Sequence, residues 1–213
     1  MSADGKRMSM DLPARSFGLL LVEGGDEEGV CAAVAGPTLW GRLYCVNARG
    51  RDKLVSAATL AGQAENFSFA RSVGLVLDIE DDPAEAHALA ARALAAFGAT
   101  GPLVHGVLSA IPRPLGAFLV PDGASHGSIE TLCRPAVRDP SLAACVDAFV
   151  GCAGQPHASQ RNAQATADKG WLKAYLSMLA DPTLRVHQAF TAPGGIDPAH
   201  AVFDPLRSFL GAL

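Results

Sequence analysis

The sequence predicts an α/β domain, a parallel sheet of about four strands flanked by helices, with a C-terminal helical appendage. Three observations carry this expectation. Short continuous apolar runs recur along the first two-thirds of the chain, as expected of strands buried on both faces. Helical patterns alternate with those runs, which implies a parallel sheet. The final third shows helical patterns only.

Phe17 to Val22 (FGLLLV) is the first strand. Asp26 to Pro37 reads as a helix whose acidic first turn suits the helix dipole. Arg42 to Val46 (RLYCV) is the second strand, followed by a polar Asn47-Ala48-Arg49-Gly50 turn and a short helix over Lys53 to Gln63. Val73 to Leu77 (VGLVL) is the third strand and runs into Asp78-Ile79-Glu80-Asp81-Asp82. Asp82 before Pro83 marks a helix start, a capping residue and then proline at the first helical position. Ala86, Leu89, Ala90, Ala93, Leu94 and Phe97 give that helix one apolar face, and Gly98 ends it. Pro102 to Pro114 has no clear period. Leu115 to Val120 (LGAFLV) is the fourth strand, leading into a Gly-rich turn at Pro121 to Gly127.

Ser128 to Val137 and Ser141 to Cys152 read as helices. Gly154 to His157 reads as a linker, Ser159 to Leu179 as a longer helix stopped by Asp181-Pro182, and Asp204-Pro205 as the start of a last helix. The expected organisation is a flexible segment over 1–15, an α/β core over 16–153, and a helical appendage over 154–213 packed on that core.

Composition narrows the function classes. Of 213 residues, 49% are apolar and 18% charged, which suits a sizeable core and not a disordered chain. A net charge of −4 argues against a strong sequence-independent nucleic-acid binder. It does not exclude nucleic acid, because a metal ion can supply positive charge locally. Five cysteines, with no Cys-x-x-Cys pair, point to free thiols in a reducing, cytoplasmic setting. Four of them lie in apolar stretches and are expected to pack as small hydrophobes. No apolar run approaches the ~20 residues that cross a bilayer, and the polar start does not read as a signal peptide. A membrane association is not expected.

In sheets of this kind ligands bind beyond the carboxyl ends of the strands. That rule selects Glu23-Gly24-Gly25-Asp26, Asp78 to Asp82, and Pro121 to Gly127. Asp78 and Glu80 are alternate residues of an extended segment, so their carboxylates are expected on one side. Such hard oxygens suit Mg²⁺ or Mn²⁺ held with waters and substrate phosphate. The plainer reading is that Asp81 and Asp82 cap a helix while Asp78 and Glu80 are solvated. Asp26 or Glu27 serves a helix start, whereas Glu23, directly after an apolar run, does nothing for capping. Gly24-Gly25 allow a tight turn and a close substrate approach.

Leu19-Leu20-Leu21-Val22-Glu23-Gly24-Gly25-Asp26-Glu27, followed later by Val76-Leu77-Asp78-Ile79-Glu80, resembles the two motifs of a Toprim domain. That domain occurs in topoisomerases, bacterial primases and OLD-family nucleases. The resemblance implies that Glu23 is a general acid/base and that Asp78 and Glu80 bind Mg²⁺, although the family pattern has Asp where Glu80 stands. Further pieces are similar to small stand-alone OLD-like Toprim proteins without assigned function. They are Arg51-Asp52-Lys53-Leu54, Gly127-Ser128-Ile129-Glu130-Thr131-Leu132-Cys133, Asp168-Lys169-Gly170-Trp171 and Phe203-Asp204-Pro205-Leu206, so the resemblance spans residues 16 to 213. By position it also implies Glu130 as a further metal ligand and Lys169 as a catalytic lysine. The bland readings are a helix charge for Glu130 and an exposed helix lysine for Lys169.

The leading functional expectation is therefore Mg²⁺- or Mn²⁺-dependent phosphodiester hydrolysis or transfer on nucleic acid or a nucleotide. The alternative is a non-catalytic metal- or nucleotide-binding module acting with a protein partner. A minor alternative is a serine hydrolase using Ser125, since Gly123-Ala124-Ser125-His126-Gly127 satisfies Gly-x-Ser-x-Gly between a strand and a helix. Against it, Pro121-Asp122 separates the strand from Gly123, and only His187 and His200 remain downstream as bases. The six histidines show no zinc spacing, and neither a Walker A loop nor Gly-x-Gly-x-x-Gly occurs. Trp40, Trp171 and Tyr175 read as packing residues.

Overall fold

The computed structural model describes residues 10–109, 113–153 and 163–213. Four strands, β1 (Phe17–Val22), β2 (Leu43–Asn47), β3 (Ala70–Asp78) and β4 (Leu115–Val120), form one sheet in the order β2-β1-β3-β4. Every neighbouring pair is parallel. The seven α-helices described are α1 (Gly25–Trp40), α2 (Leu54–Gly62), α3 (Pro83–Ala95), α4 (Ile129–Cys133), α5 (Pro140–Ala153), α6 (Ala163–Ser177) and α7 (Asp204–Ala212).

Side chains of a strand alternate between faces, and both faces here are apolar, so β1 and β4 are buried throughout and β3 at every position but Arg71, while the edge strand β2 is mostly half-buried. On one face Leu20, Val22, Val76, Phe118 and Val120 join Val30 and Val34 of α1, Val146 of α5, Leu172 of α6 and Leu206 of α7. On the other, Leu19, Leu21, Leu75, Leu77, Ala117 and Leu119 pack on Leu54 and Ala58 of α2 and on Leu89 and Ala93 of α3. The result is three layers, helix–sheet–helix. The C-terminal helices belong to the first of these cores. Gly74 lies so close to Leu213 that a Cβ there would approach its Cδ1 to 2.6 Å.

The chain crosses from β1 through α1 to β2, then returns past β1 through α2 to β3. Because α1 and α2 lie on opposite faces, the winding reverses between β1 and β3. A sheet wound in both directions opens a crevice at the carboxyl ends of the two strands where the order reverses. Those strands end at Val22 and Asp78.

β4 is an edge strand, and its outer side is already paired. The Gly106 N–H donates to the Ala117 carbonyl at 2.8 Å, the Ser109 N–H to the Leu115 carbonyl at 2.8 Å, and the Leu119 N–H to His105 Nδ1 at 3.0 Å. Gly116 permits this close cover, since a Cβ there would come within 2.4 Å of the Val107 carbonyl oxygen.

The structure moves several boundaries. β3 begins at Ala70 and includes Asp78. α1 continues to Trp40 through a local break at Gly36 (φ 69°) and Pro37. The helix expected over Ser128 to Val137 stops at Cys133, and Arg134–Ala136 continues as a 3-10 turn around Pro135. The expected linker Gly154 to His157 and the helix start at Ser159 lie outside the described residues. Cys31 and Cys133 are buried and Cys45 is half-buried, but Cys145 and Cys152 are exposed on α5. The apolar stretch around them winds into a helix that buries only one side. Trp171 and Tyr175 are core residues, stacked at 5.6 Å.

Candidate functional site

The crevice between β1 and β3 gathers the acidic residues. Glu23 follows β1 directly, and its carbonyl accepts from the Gly50 N–H at 2.9 Å, which ties the loop after β2 to this point. Gly24 is the extended residue before α1, with no side chain capping the helix. Its missing Cβ leaves room for the Glu27 carboxylate, which would lie 3.0 Å from such an atom. Asp78 is the last residue of β3. Beyond it, Glu80 takes a left-handed backbone (φ 57°) and exchanges two hydrogen bonds with Gly127, of 2.7 and 2.8 Å. Asp82 caps α3 by accepting from the Glu85 N–H at 2.9 Å.

Asp78 is 2% exposed, and its Oδ1 has no hydrogen-bond partner. Glu23 Oε2 is likewise buried without a hydrogen bond; the Arg51 guanidinium stands 3.6 Å away, an ion pair too long to be one. Arg51 is held by the backbone instead, donating from Nη1 to the Asp78 carbonyl at 2.8 Å. A buried carboxylate without donors is costly, so each of these groups favours its protonated form. Burial pushes the Asp78 carboxyl well above the ordinary range, and Glu27, Glu130 and Glu23 add to the push while Lys169 opposes it. Burial also raises Glu27, partly offset by hydrogen bonds from backbone N–H groups, with Glu130 and Asp26 raising it further. Glu23 is lifted to about 7, by burial first and then by Glu27, against Arg51.

Lys169 lies across this group, with Nζ 3.5 Å from Glu80 Oε1. Burial would lower its pKa, but Glu130, Asp78 and Glu80 outweigh that and raise it. A closed chain of contacts fixes the lysine and Glu130 relative to Glu80. Gly127 pairs with Glu80, and the next residue, Ser128, donates its N–H to Thr131 Oγ1 at 3.0 Å and its Oγ to Glu130 Oε2 at 2.7 Å. Thr131 Oγ1 in turn donates to Asp168 Oδ2 at 2.6 Å, and Asp168 precedes Lys169. Arg134 braces the same joint, reaching Asp168 at 3.2 Å while lying over the Trp171 ring at 4.6 Å.

All five residues selected from the sequence, Glu23, Asp78, Glu80, Glu130 and Lys169, therefore come to one region. The expected reason fails for Glu80. Strand alternation ends at Asp78, and it is the left-handed turn locked on Gly127 that aims Glu80 at Lys169. Sequence reasoning missed two members. Glu27 is 8% exposed and faces Glu130; it is not a helix-dipole charge in solvent. Arg51 ties together the ends of β1 and β3. The spacing Glu23-x-x-x-Glu27 gave no signal, because Glu23 lies before α1, which begins at Gly25, and the two carboxylates do not share a helical face.

Among the described residues, no three of His, Cys, Asp and Glu converge into a ready-made metal ligand set. The donors nevertheless fit Mg²⁺ or Mn²⁺. They are hard carboxylate oxygens, one of them orphaned and buried, and such ions keep waters and take substrate oxygens in place of a full protein cage. Ser125 lacks a hydrolase setting. Its hydroxyl donates to Asp122 at 2.6 Å, His187 pairs with Asp26 at 3.4 Å, and His200 caps the turn at Ala201–Phe203.

The raised carboxyls make metal-free stability pH-dependent. The folded chain holds a proton on Glu23 up to about 7, against 4.5 for an ordinary glutamate, so this stability is complete below about 4.5 and is lost as pH rises through 7. The shift corresponds to on the order of 3 kcal/mol. Thermal melts in chelator between pH 5 and 8 should show falling Tm, with the slope reduced in Glu23→Gln.

A family model described as "Protein of unknown function (DUF3226)" matches residues 18–213. No curated protein matches the chain, and no solved structure does.

Proposed function

We propose that this chain, which belongs to the DUF3226 family of proteins of unknown function, carries out Mg²⁺- or Mn²⁺-dependent hydrolysis or transfer of a phosphodiester in nucleic acid or a nucleotide. The observation that carries this reading is the unpartnered Asp78 Oδ1, buried among carboxylates at the point where the sheet reverses its winding. A structural carboxylate at such depth normally finds donors. One that finds none, beside other raised carboxyls, marks a functional site. The resemblance to Toprim domains, and to OLD-like members among them, points the same way and belongs to this proposal.

Asp78 and Glu80 would hold the metal, with Glu130 as a further oxygen donor. When bound, the metal supplies charge neutralisation at phosphate oxygens. Glu23, poised near neutrality, moves a proton to or from the attacked or leaving oxygen. Lys169 balances negative charge at the same place, and the Thr131–Asp168 contact keeps its helix in position.

Calorimetric titration with Mn²⁺ tests the reading. The parent should bind and Asp78→Asn should not; equal binding by the two would remove Asp78 from any metal site. A cleavage panel of DNA, RNA and small phosphoesters then separates chemistry from binding. Metal binding without cleavage of any of them would make the chain a binding module acting with a partner.

A further inference from the structure

We infer that the loop after β2, Arg49 to Lys53, is the anion-binding arm of this site, with Arg51 as the residue that grips a phosphoryl group of the substrate. The inference rests on the proposed metal-dependent reading and deepens it by assigning a residue to the substrate's charge.

The first support is the way Arg51 is anchored. Its firm bond, 2.8 Å, goes to the Asp78 backbone carbonyl, whereas the Glu23 carboxylate is 3.6 Å away. The guanidinium is therefore held first by the main chain, with the Glu23 carboxylate as a longer ion pair beside it. Of its five N–H donors, that carbonyl takes one. A guanidinium is planar, permanently charged and able to hold phosphate oxygens in pairs.

The second support is electrostatic. Lys169 already offsets the charge of Glu80, Asp78 and Glu130. A second fixed cation, half-buried next to Asp78, works against a divalent ion at the same place. That opposition reverses only when a substrate anion arrives and lies between the two. The third support is the loop itself. Arg49 (φ 61°) and Gly50 (φ 131°) both have left-handed-side backbone, which folds the loop onto the Glu23 carbonyl. Exposed Arg49 and Lys53 then flank Arg51 on the same turn. Neither side chain makes an ion pair among the described residues. With three basic residues against the one exposed acid, Asp52, the turn sets a net positive rim beside the acidic crevice.

A pure counter-ion and an anion-binding residue predict opposite patterns. The test compares the parent with Arg51→Gln, whose amide can still donate to the Asp78 carbonyl but carries no charge. Mn²⁺ affinity is read from the free-ion EPR signal. Binding of radiolabelled inorganic phosphate in the presence of Mn²⁺ is read by equilibrium dialysis, with a short oligonucleotide as a second probe. The inference expects Mn²⁺ affinity unchanged or tighter in Arg51→Gln, and phosphate binding ~10–100-fold weaker, as when a charged hydrogen-bonding group is lost. Arg51→Lys should recover part of it, and Arg92→Ala, on the exposed side of α3, should bind as the parent does.

Inorganic phosphate weakened alone would identify the ligand as a free phosphoryl group, and both probes weakened as a strand backbone. Phosphate binding equal in Arg51→Gln and the parent, or absent from a parent that binds Mn²⁺, overturns the inference and leaves the metal site standing. A parent that binds no Mn²⁺ overturns the metal reading itself.

Discussion

Replacing Glu23 by Gln should lower the rate of any metal-dependent phosphodiester cleavage by ~10²–10⁴-fold, the usual loss when a general acid or base is removed. Gln keeps the length and shape of the side chain and abolishes its titration. The residue sits at the mouth of the β1–β3 crevice with one buried oxygen lacking a hydrogen bond, and its carboxyl is lifted to about 7. A group so placed is half protonated at neutral pH and can act in either direction. Bound metal pulls the same value down, so the experiment is run at saturating Mn²⁺ across a pH series. The expected result is loss of rate together with loss of the profile's limb that Glu23 sets. Unchanged turnover would leave Glu23 as an acidic neighbour only, and the non-catalytic reading would become the better one.

The metal-free protein should become more stable when Asp78 is changed to Asn, although the same change should abolish metal binding. Asp78 is 2% exposed, lacks a hydrogen bond at Oδ1, and is surrounded by Glu27, Glu130 and Glu23, all of which oppose its ionisation. Its raised carboxyl makes the folded state retain a proton, so stability is present at low pH and lost as pH rises through the folded value. Asn removes that dependence. The gain should be about 1–3 kcal/mol at alkaline pH, the scale of an unpartnered buried polar group. For a chain of this size each kcal/mol moves Tm by about 2–4 °C. Melts in chelator at pH 8 and pH 5 provide the check. Equal destabilisation at both pH values would show that Asp78 is a structural acid. Stability gained where binding is lost is the expected trade at a functional site.

The sheet was legible because strands buried on both faces leave unbroken apolar runs, and LLLV, VGLVL and LGAFLV are such runs. Glu23 and Asp78 were legible for the same reason, since a carboxylate directly after a buried strand stands at the ligand edge. Glu27 was not, because an acid in a first helical turn has the same local pattern whether solvated or buried; its role depends on Glu130, contributed by a distant helix. The contact from Thr131 to Asp168 joins residues 37 positions apart, and no local period encodes it. Arg51 appeared in the sequence within a stretch similar to OLD-like Toprim proteins but with no role assigned, since its partners are a backbone carbonyl and a strand end. Glu80 came to the right place by a turn that alternation does not describe.

The covering of β4 bears on how the protein behaves in a crowded solution. An uncovered edge strand offers its amides and carbonyls to the strands of other molecules, which is how sheets join into aggregates. Here the segment from His105 to Ser109 already occupies those groups, and Gly116 is the residue that lets it lie so near. A bulkier residue at 116 would push that cover away and leave an apolar, four-stranded sheet open to templated growth. Among the described strands this leaves β2 as the side from which another chain could extend the sheet.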